Sequence, residues 1–204
     1  MSLAAQVYGL HPYACLFIDT TWKDMLRAYA DVALAHDTTA AQERIQKAFH
    51  PDALVCISAR TAFDCWLKVQ SFPRGSELIL TAINIPDMTK VLREHGIVPV
   101  PVDVCVHTLA PAPGAVEALI TPKTIGIMVA QIYGRQFPLQ PFAEVARRHK
   151  LPLIEDLAEG YAGPQFTGSS EAHLSLFSFG PIKYNTAMGG GIGVVRDAAV
   201  LAKV

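Results

Sequence analysis

Thr124-Ile125-Gly126-Ile127-Met128-Val129-Ala130-Gln131, then a helical stretch from Leu139 to His149, then Leu151-Pro152-Leu153-Ile154, decide the fold. The first and last pieces are apolar throughout rather than at every second residue, as strands buried on both faces are. Between them Phe142, Val145 and Ala146 recur at helical spacing, so that helix turns one face inward. A strand, a helix and a second fully apolar strand in this order belong to a parallel sheet covered by helices.

The same rhythm extends outward from this unit. Toward the N-terminus, Leu54 to Ile57 reads as a strand, Thr61 to Gln70 as a helix, Glu77 to Ile83 as a strand and Met88 to His95 as a helix closed by Gly96. Val98 to Asp103 is a third strand, and Pro99 and Pro101 assign it to an edge or an irregular ladder. Gly114 to Ile120 is a short helix. Toward the C-terminus, Leu174 to Phe179 and Ile192 to Val195 are further strands. The pattern predicts an α/β fold with a mostly parallel sheet in residues 51–204. Residues 1–50 read as an N-terminal helical segment. There Trp22, Met25, Leu26 and Tyr29 form a stripe expected to face a core, and Ile45, Ala48 and Phe49 share one face of a helix from Thr39 to Phe49.

Composition excludes several classes of function. The 204 residues suffice for a large domain with a substantial core. Lys+Arg 17 against Asp+Glu 18 leave a net charge of −1, so nucleic acid and anionic membrane are not expected partners. No apolar run approaches the roughly 18 residues that span a bilayer. The start, MSLAAQVYGLHPYA, lacks a basic region followed by a continuous apolar core, so no secretory leader is expected and the cytoplasm is the expected compartment. Cys15, Cys56, Cys65 and Cys105 are too dispersed to hold a metal. Cys56 and Cys105 lie in apolar strand-like runs and are expected as buried packing thiols, while His36 and His50 are expected at the surface.

In parallel sheets ligands bind beyond the carboxyl ends of the strands. Ser58-Ala59-Arg60-Thr61-Ala62 follows the first strand, and the free amides opening a helix there attract an anion, unless the hydroxyls serve only as a helix cap. Glu155-Asp156-Leu157-Ala158-Glu159 follows Ile154. An acid at a buried strand end is costly to desolvate, so Asp156 either pairs with a ligand cation, such as a protonated aromatic nitrogen, or caps the next helix. Ser178 ends the next strand, and Lys183 is the only charge between Leu174 and Gly193. Desolvating that ammonium is costly, which favours the neutral, nucleophilic amine. Gly189-Gly190-Gly191 lacks the order of a phosphate loop and is expected to let backbone pass close to a bulky neighbour. An anion site, a carboxylate and a buried lysine match the phosphate, ring nitrogen and aldehyde of pyridoxal phosphate.

Together with Tyr133-Gly134-Arg135, the segments at 58–62, 154–159, 177–183 and 189–191 resemble, in order, the DegT/DnrJ/EryC1/StrS family over residues 54–204. These are sugar aminotransferases of fold type I among pyridoxal-phosphate enzymes. The resemblance implies a three-layer α/β/α large domain whose seven-stranded, mostly parallel sheet has one antiparallel strand. It implies that Lys183 forms the Schiff base and later moves a proton, and that Asp156 keeps the ring nitrogen protonated. Ser178, with Ala59, Arg60 and Thr61, would bind the phosphate. Glu159 stands near the cofactor's O3′, where the family usually has Gln or His. Ala59-Arg60 replaces a common Gly-Thr, and Ile83-Asn84-Ile85-Pro86 lacks the aromatic that helps to sandwich the ring. Family members continue into a C-terminal small domain, so the chain is expected to be the large domain alone. The implied function is amino transfer from an amino acid to a keto-sugar nucleotide, with small-molecule partners and a homodimer. A lyase or desulfurase acting on an amino acid, and a non-catalytic domain that keeps the fold, are the alternatives.

Overall fold

A strand that is apolar on both faces is stable only between two covering layers, and the chain supplies both. A computed structural model describes residues 20–34, 37–163, 165–183 and 185–204. The strands are β1 (Ala53–Cys56), β2 (Glu77–Thr81), β3 (Val98–Val102), β4 (Thr124–Ala130), β5 (Leu153–Asp156), β6 (Leu174–Ser178) and β7 (Gly191–Val195). They form one sheet in the order β1-β7-β6-β5-β4-β2-β3. β7 runs antiparallel to both its neighbours, and the other pairings are parallel. The proline-bearing β3 is an edge strand, where a missing amide donor does least harm.

Alternation along each strand divides the core between the two faces. Leu78, Leu80, Met128, Ile154, Leu174 and Leu176 meet Ala62, Phe63, Trp66 and Leu67 of α3 (Ala59–Gln70) and Met88 and Leu92 of α4 (Pro86–Glu94). On the opposite face Ile79, Ile127, Val129 and Leu153 meet Val116 of α5 (Pro113–Ala118) and Phe142, Val145 and Ala146 of α6 (Gln140–His149). The molecule is therefore a three-layer α/β/α sandwich. A short α7 (Ala198–Leu201) follows β7. No helix among the described residues is long and apolar enough to cross a membrane.

Several expectations are corrected. Helix α1 (Trp22–Leu34) forms as the periodicity predicts, but its stripe faces no core: Trp22 is 80% exposed, and Leu26 and Tyr29 are exposed too. Periodicity specifies a face and not the surface that covers it. On α2 (Thr38–Phe49), Ile45 and Ala48 are exposed; Phe49 alone turns in, with its ring 5.1 Å from that of Phe177. Cys105 is exposed rather than buried, because the ladder of β3 ends at Val102 and leaves it in a loop. Cys56 is half-buried, and burial pushes its thiol up to about 11. His50 is half-buried, and its Nδ1 accepts from the Asp52 amide at 3.1 Å. Cys15 and His36 lie outside the described residues. β5 begins only after Pro152, which cannot donate to the ladder, and it runs on through Glu155 and Asp156, which pair with Val129 and Ala130 of β4.

Gly191 sets how closely β7 can approach α3. It pairs with Cys56 on one side and Ser178 on the other, and a Cβ there would stand 2.1 Å from the Ala59 nitrogen and 2.2 Å from the Ser58 carbonyl carbon. The bulky neighbour expected for the glycine run is thus the backbone that opens α3. Gly191→Ala should lower stability by about 3 kcal/mol, read from the urea midpoint, because rigid main chain must move. Gly193→Ala, whose Cβ would meet the Ala62 methyl at 3.1 Å, should cost less.

Candidate functional site

The carboxyl ends of β1, β2, β4, β5 and β6 open into a cavity of about 400 Å³. Ala59, Arg60, Asp156, Glu159, Ser178 and Lys183, singled out from the sequence, all line it. Thr61 lies outside the lining. Its amide donates to Ser58 Oγ at 3.1 Å and its hydroxyl is 3.0 Å from the same atom.

Ser58 is extended, with φ −162°, and caps α3. Because its hydroxyl is committed to Thr61, the amides of Ala59 and Arg60 find no acceptor among the described residues. Two free donors at the positive end of a helix suit an anion. The Arg60 guanidinium turns to the first turn of α4 and pairs with Asp87, which also holds Lys90 at 2.9 Å. Across the sheet, Ser178 closes β6 opposite Gly191.

Asp156 and Glu155 are adjacent in β5 and therefore point to opposite faces. Asp156 faces the cavity, and its Oδ1 accepts from the Ala158 amide at 3.0 Å. Burial pushes its carboxyl above the usual carboxylate range, and the Ala158 amide and Lys183 partly oppose that. Asn84 Nδ2 is buried without a hydrogen-bond partner among the described residues, although its amide lies close enough to Asp156 to favour the carboxylate. Glu155 enters a network that the sequence reading missed. It accepts from Gln131 Nε2 at 2.5 Å, the Ser169 amide at 2.9 Å and Ser175 Oγ at 3.1 Å, and Arg196 donates to that same Ser175 Oγ at 3.0 Å. Burial raises its carboxyl despite these donors. Strand alternation is the signal that could have separated the two acids.

Lys183 has its side chain 17% exposed and its Nζ 3.7 Å from Glu159 Oε1. Its surroundings carry no other charge in the local sequence, but the fold supplies Glu159 and Asp156 from a different strand end. Glu159 Oε2 accepts from the Tyr133 amide at 2.7 Å. Tyr133 also lines the cavity, the only aromatic to do so among the described residues, alongside Ile83, Ile85 and Met88.

The raised Asp156 carboxyl has a consequence for stability. The folded chain binds this proton more tightly than the unfolded chain. The stability that the group contributes is therefore full below the ordinary carboxylate range and is lost as pH rises through the raised value. In denaturant titrations without added ligand, Asp156→Asn should be more stable than the parent near neutral pH, and the difference should close in acid. Ser58→Ala should cost about 1 kcal/mol at any pH.

A profile of the DegT/DnrJ/EryC1/StrS aminotransferase family matches residues 38–204. A GDP-perosamine synthase from Caulobacter vibrioides is 33% identical over 155 residues, covering 74% of this chain and 42% of that protein. A dTDP-4-dehydro-2,6-dideoxy-D-glucose 3-dehydratase from Saccharopolyspora spinosa is 33% identical over 134 residues, covering 64% of this chain and 28% of that protein. The chain thus spans less than half the length of these curated relatives. The aminotransferase TlmJ from Streptoalloteichus hindustanus, 18% identical, superposes with a TM-score of 0.78 over 90% of this chain and 53% of that one, which shows a common fold. The matched segment holds the whole sheet and every residue lining the cavity, and the chain belongs to the DegT/DnrJ/EryC1/StrS aminotransferase family.

Proposed function

We propose that residues 51–204 form the large domain of a pyridoxal-phosphate-dependent aminotransferase, with residues 1–50 as a helical accessory, and that its acceptor is a nucleotide-linked keto sugar. The observation that carries this is the sharing of one cavity by the Lys183 amine, the Asp156 carboxylate and the free amides of Ala59 and Arg60. The donor set fits the cofactor: two amides that find no acceptor among the described residues suit its phosphate, Asn84 Nδ2, likewise without a partner among them, can donate to a bound group, and Asp156 suits a protonated ring nitrogen. When bound, pyridoxal phosphate supplies an aldehyde and an electron-accepting ring.

The chain's own residues do the rest. Ala59, Arg60 and Ser178 bind the phosphate, and Thr61 fixes the Ser58 cap that leaves the first two amides free. Asp156 retains a proton on the ring nitrogen. Lys183 Nζ would hold the aldehyde carbon until the amino donor's nitrogen displaces it there, and the freed amine would then take the proton from the donor's α-carbon and later return it. Glu159 and Asn84 complete the polar wall. The acceptor class rests on the relatives, both of whose names carry a nucleoside-diphosphate sugar. We place the enzyme in the cytoplasm, where free thiols such as Cys56, Cys65 and Cys105 persist. We assign it a homodimer, because Ile57 and Ile182 beside the cavity are 84% and 68% exposed, apolar surface that a second copy would cover.

Pyridoxal phosphate added to the chain should give a visible absorbance band and, after borohydride reduction, one adduct located at Lys183. Lys183→Ala should abolish both, and Ser178→Ala should weaken cofactor binding about tenfold, the loss of one charge-assisted hydrogen bond. Loss of the band on adding glutamate, with formation of 2-oxoglutarate, supports amino transfer. Release of pyruvate or sulfide from an amino acid supports a lyase instead, and a colourless chain without adduct contradicts both.

A further inference from the structure

Glu159 is the charge in this site that the local sequence around Lys183 does not announce. Its carboxylate is held at both oxygens, by the Tyr133 amide at 2.7 Å and by Lys183 Nζ at 3.7 Å. The backbone is arranged for the first contact. Tyr133 and Gly134 both adopt left-handed conformations, with φ 56° and 69°, and Gln136 Nε2 donates to the Gly160 carbonyl at 2.9 Å, which ties that turn to the Glu159 segment. A non-glycine residue at positive φ is costly unless its surroundings fix it, and here the turn presents an amide to a carboxylate.

Among the described residues, the titratable and charged groups around the Lys183 nitrogen come from four places: Asp156 at the end of β5, Glu159 in the segment after it, Tyr133 in the β4–α6 connection, and Arg60 on α3, which is neutralised by Asp87 of α4. Of these, Glu159 is the one in ion-pair contact.

We propose that Glu159 is the counter-ion of Lys183: it positions that nitrogen and favours its cationic states both before and after it condenses with a carbonyl. The proposal rests on the reading of Lys183 as the carbonyl-capturing amine. In that condensation the ammonium first gives a proton to water, and the freed lone pair forms the nitrogen–carbon bond. The carbonyl oxygen then leaves as water, taking one proton from that nitrogen and one from solvent, and a cationic C=N–H group faces Glu159. A carboxylate at this distance stabilises the cation at both ends of the sequence. It therefore delays capture to higher pH and keeps the product protonated to higher pH. The Gln or His usual at this position in the resembling family carries no such fixed negative charge.

The test uses the full chain unaltered and as Glu159→Gln and Glu159→Ala. Glutamine keeps an oxygen for the Tyr133 amide while removing the charge, and alanine removes both. Each protein is incubated with pyridoxal phosphate over a pH series and reduced with borohydride, and the adduct at Lys183 is quantified by peptide mass. A parallel absorbance titration reads the protonation of the C=N group. Both midpoints should lie about one pH unit lower in both variants, the effect of removing one partly exposed opposite charge. Labelling of all three proteins with coincident midpoints overturns the counter-ion role, as does a fall in the amount of label with no movement of either midpoint. Absence of labelling in the unaltered chain overturns the reading of Lys183, and this proposal with it.

Discussion

The backbone contact between Gly191 and the Ser58–Ala59 peptide is the constraint on which the site depends. One residue on β7 touches three things at once: it pairs with Cys56 at the end of β1, pairs with Ser178 at the end of β6, and lies against the first turn of α3. No side chain fits in that gap. The consequence is that the free amides of α3 and the hydroxyl of Ser178, far apart in sequence, are brought to one corner of the cavity. The antiparallel direction of β7 serves this arrangement, because it delivers the glycine from the 179–190 loop at the same end of the sheet where the parallel strands finish.

A second constraint is the cost of placing charge at buried strand ends. Asp156 and Glu155 are both desolvated enough to raise their carboxyls, and the fold treats them differently. Glu155 is surrounded by donors from Gln131, Ser169 and Ser175, with Arg196 behind, so its cost is offset within the protein and it braces β4, β5 and β6. Among the described residues Asp156 accepts one backbone amide, with Lys183 and the Asn84 amide nearby, and otherwise faces the cavity. A carboxylate left with so little internal compensation is costly in the empty chain and suited to a cationic ligand atom, a common exchange of stability for function.

The architecture was legible because burial on both faces writes itself as continuous apolar runs, and the β4–α6–β5 unit carries that signal in full. The left-to-right order of strands was not, since nothing in the apolar run of β2 says that β4 will lie beside it. The start of β5 was misplaced by two residues because an apolar run that begins at Leu151 does not show that Pro152 keeps the ladder from forming there, and its end by two because the buried strand continues through two acids. The stripe on α1 marked a face correctly and its burial wrongly, because no partner surface is written in the helix itself. At the site, Ser58 to Thr61, Asp156, Ser178 and Lys183 carried local signals as strand-end residues. The Glu159–Lys183 contact and the Gln131–Glu155 bond did not, since each joins segments that only the folded sheet brings together.

We propose that one cavity at the carboxyl edge of this sheet holds a phosphate at α3, a ring nitrogen at Asp156 and a carbonyl carbon at Lys183. A crystal structure of the chain grown with pyridoxal phosphate tests it most directly. Phosphate density against the amides of Ala59 and Arg60 and continuous density from the ring to Lys183 Nζ are expected. Density elsewhere on the chain, or an empty cavity at saturating cofactor, would contradict it.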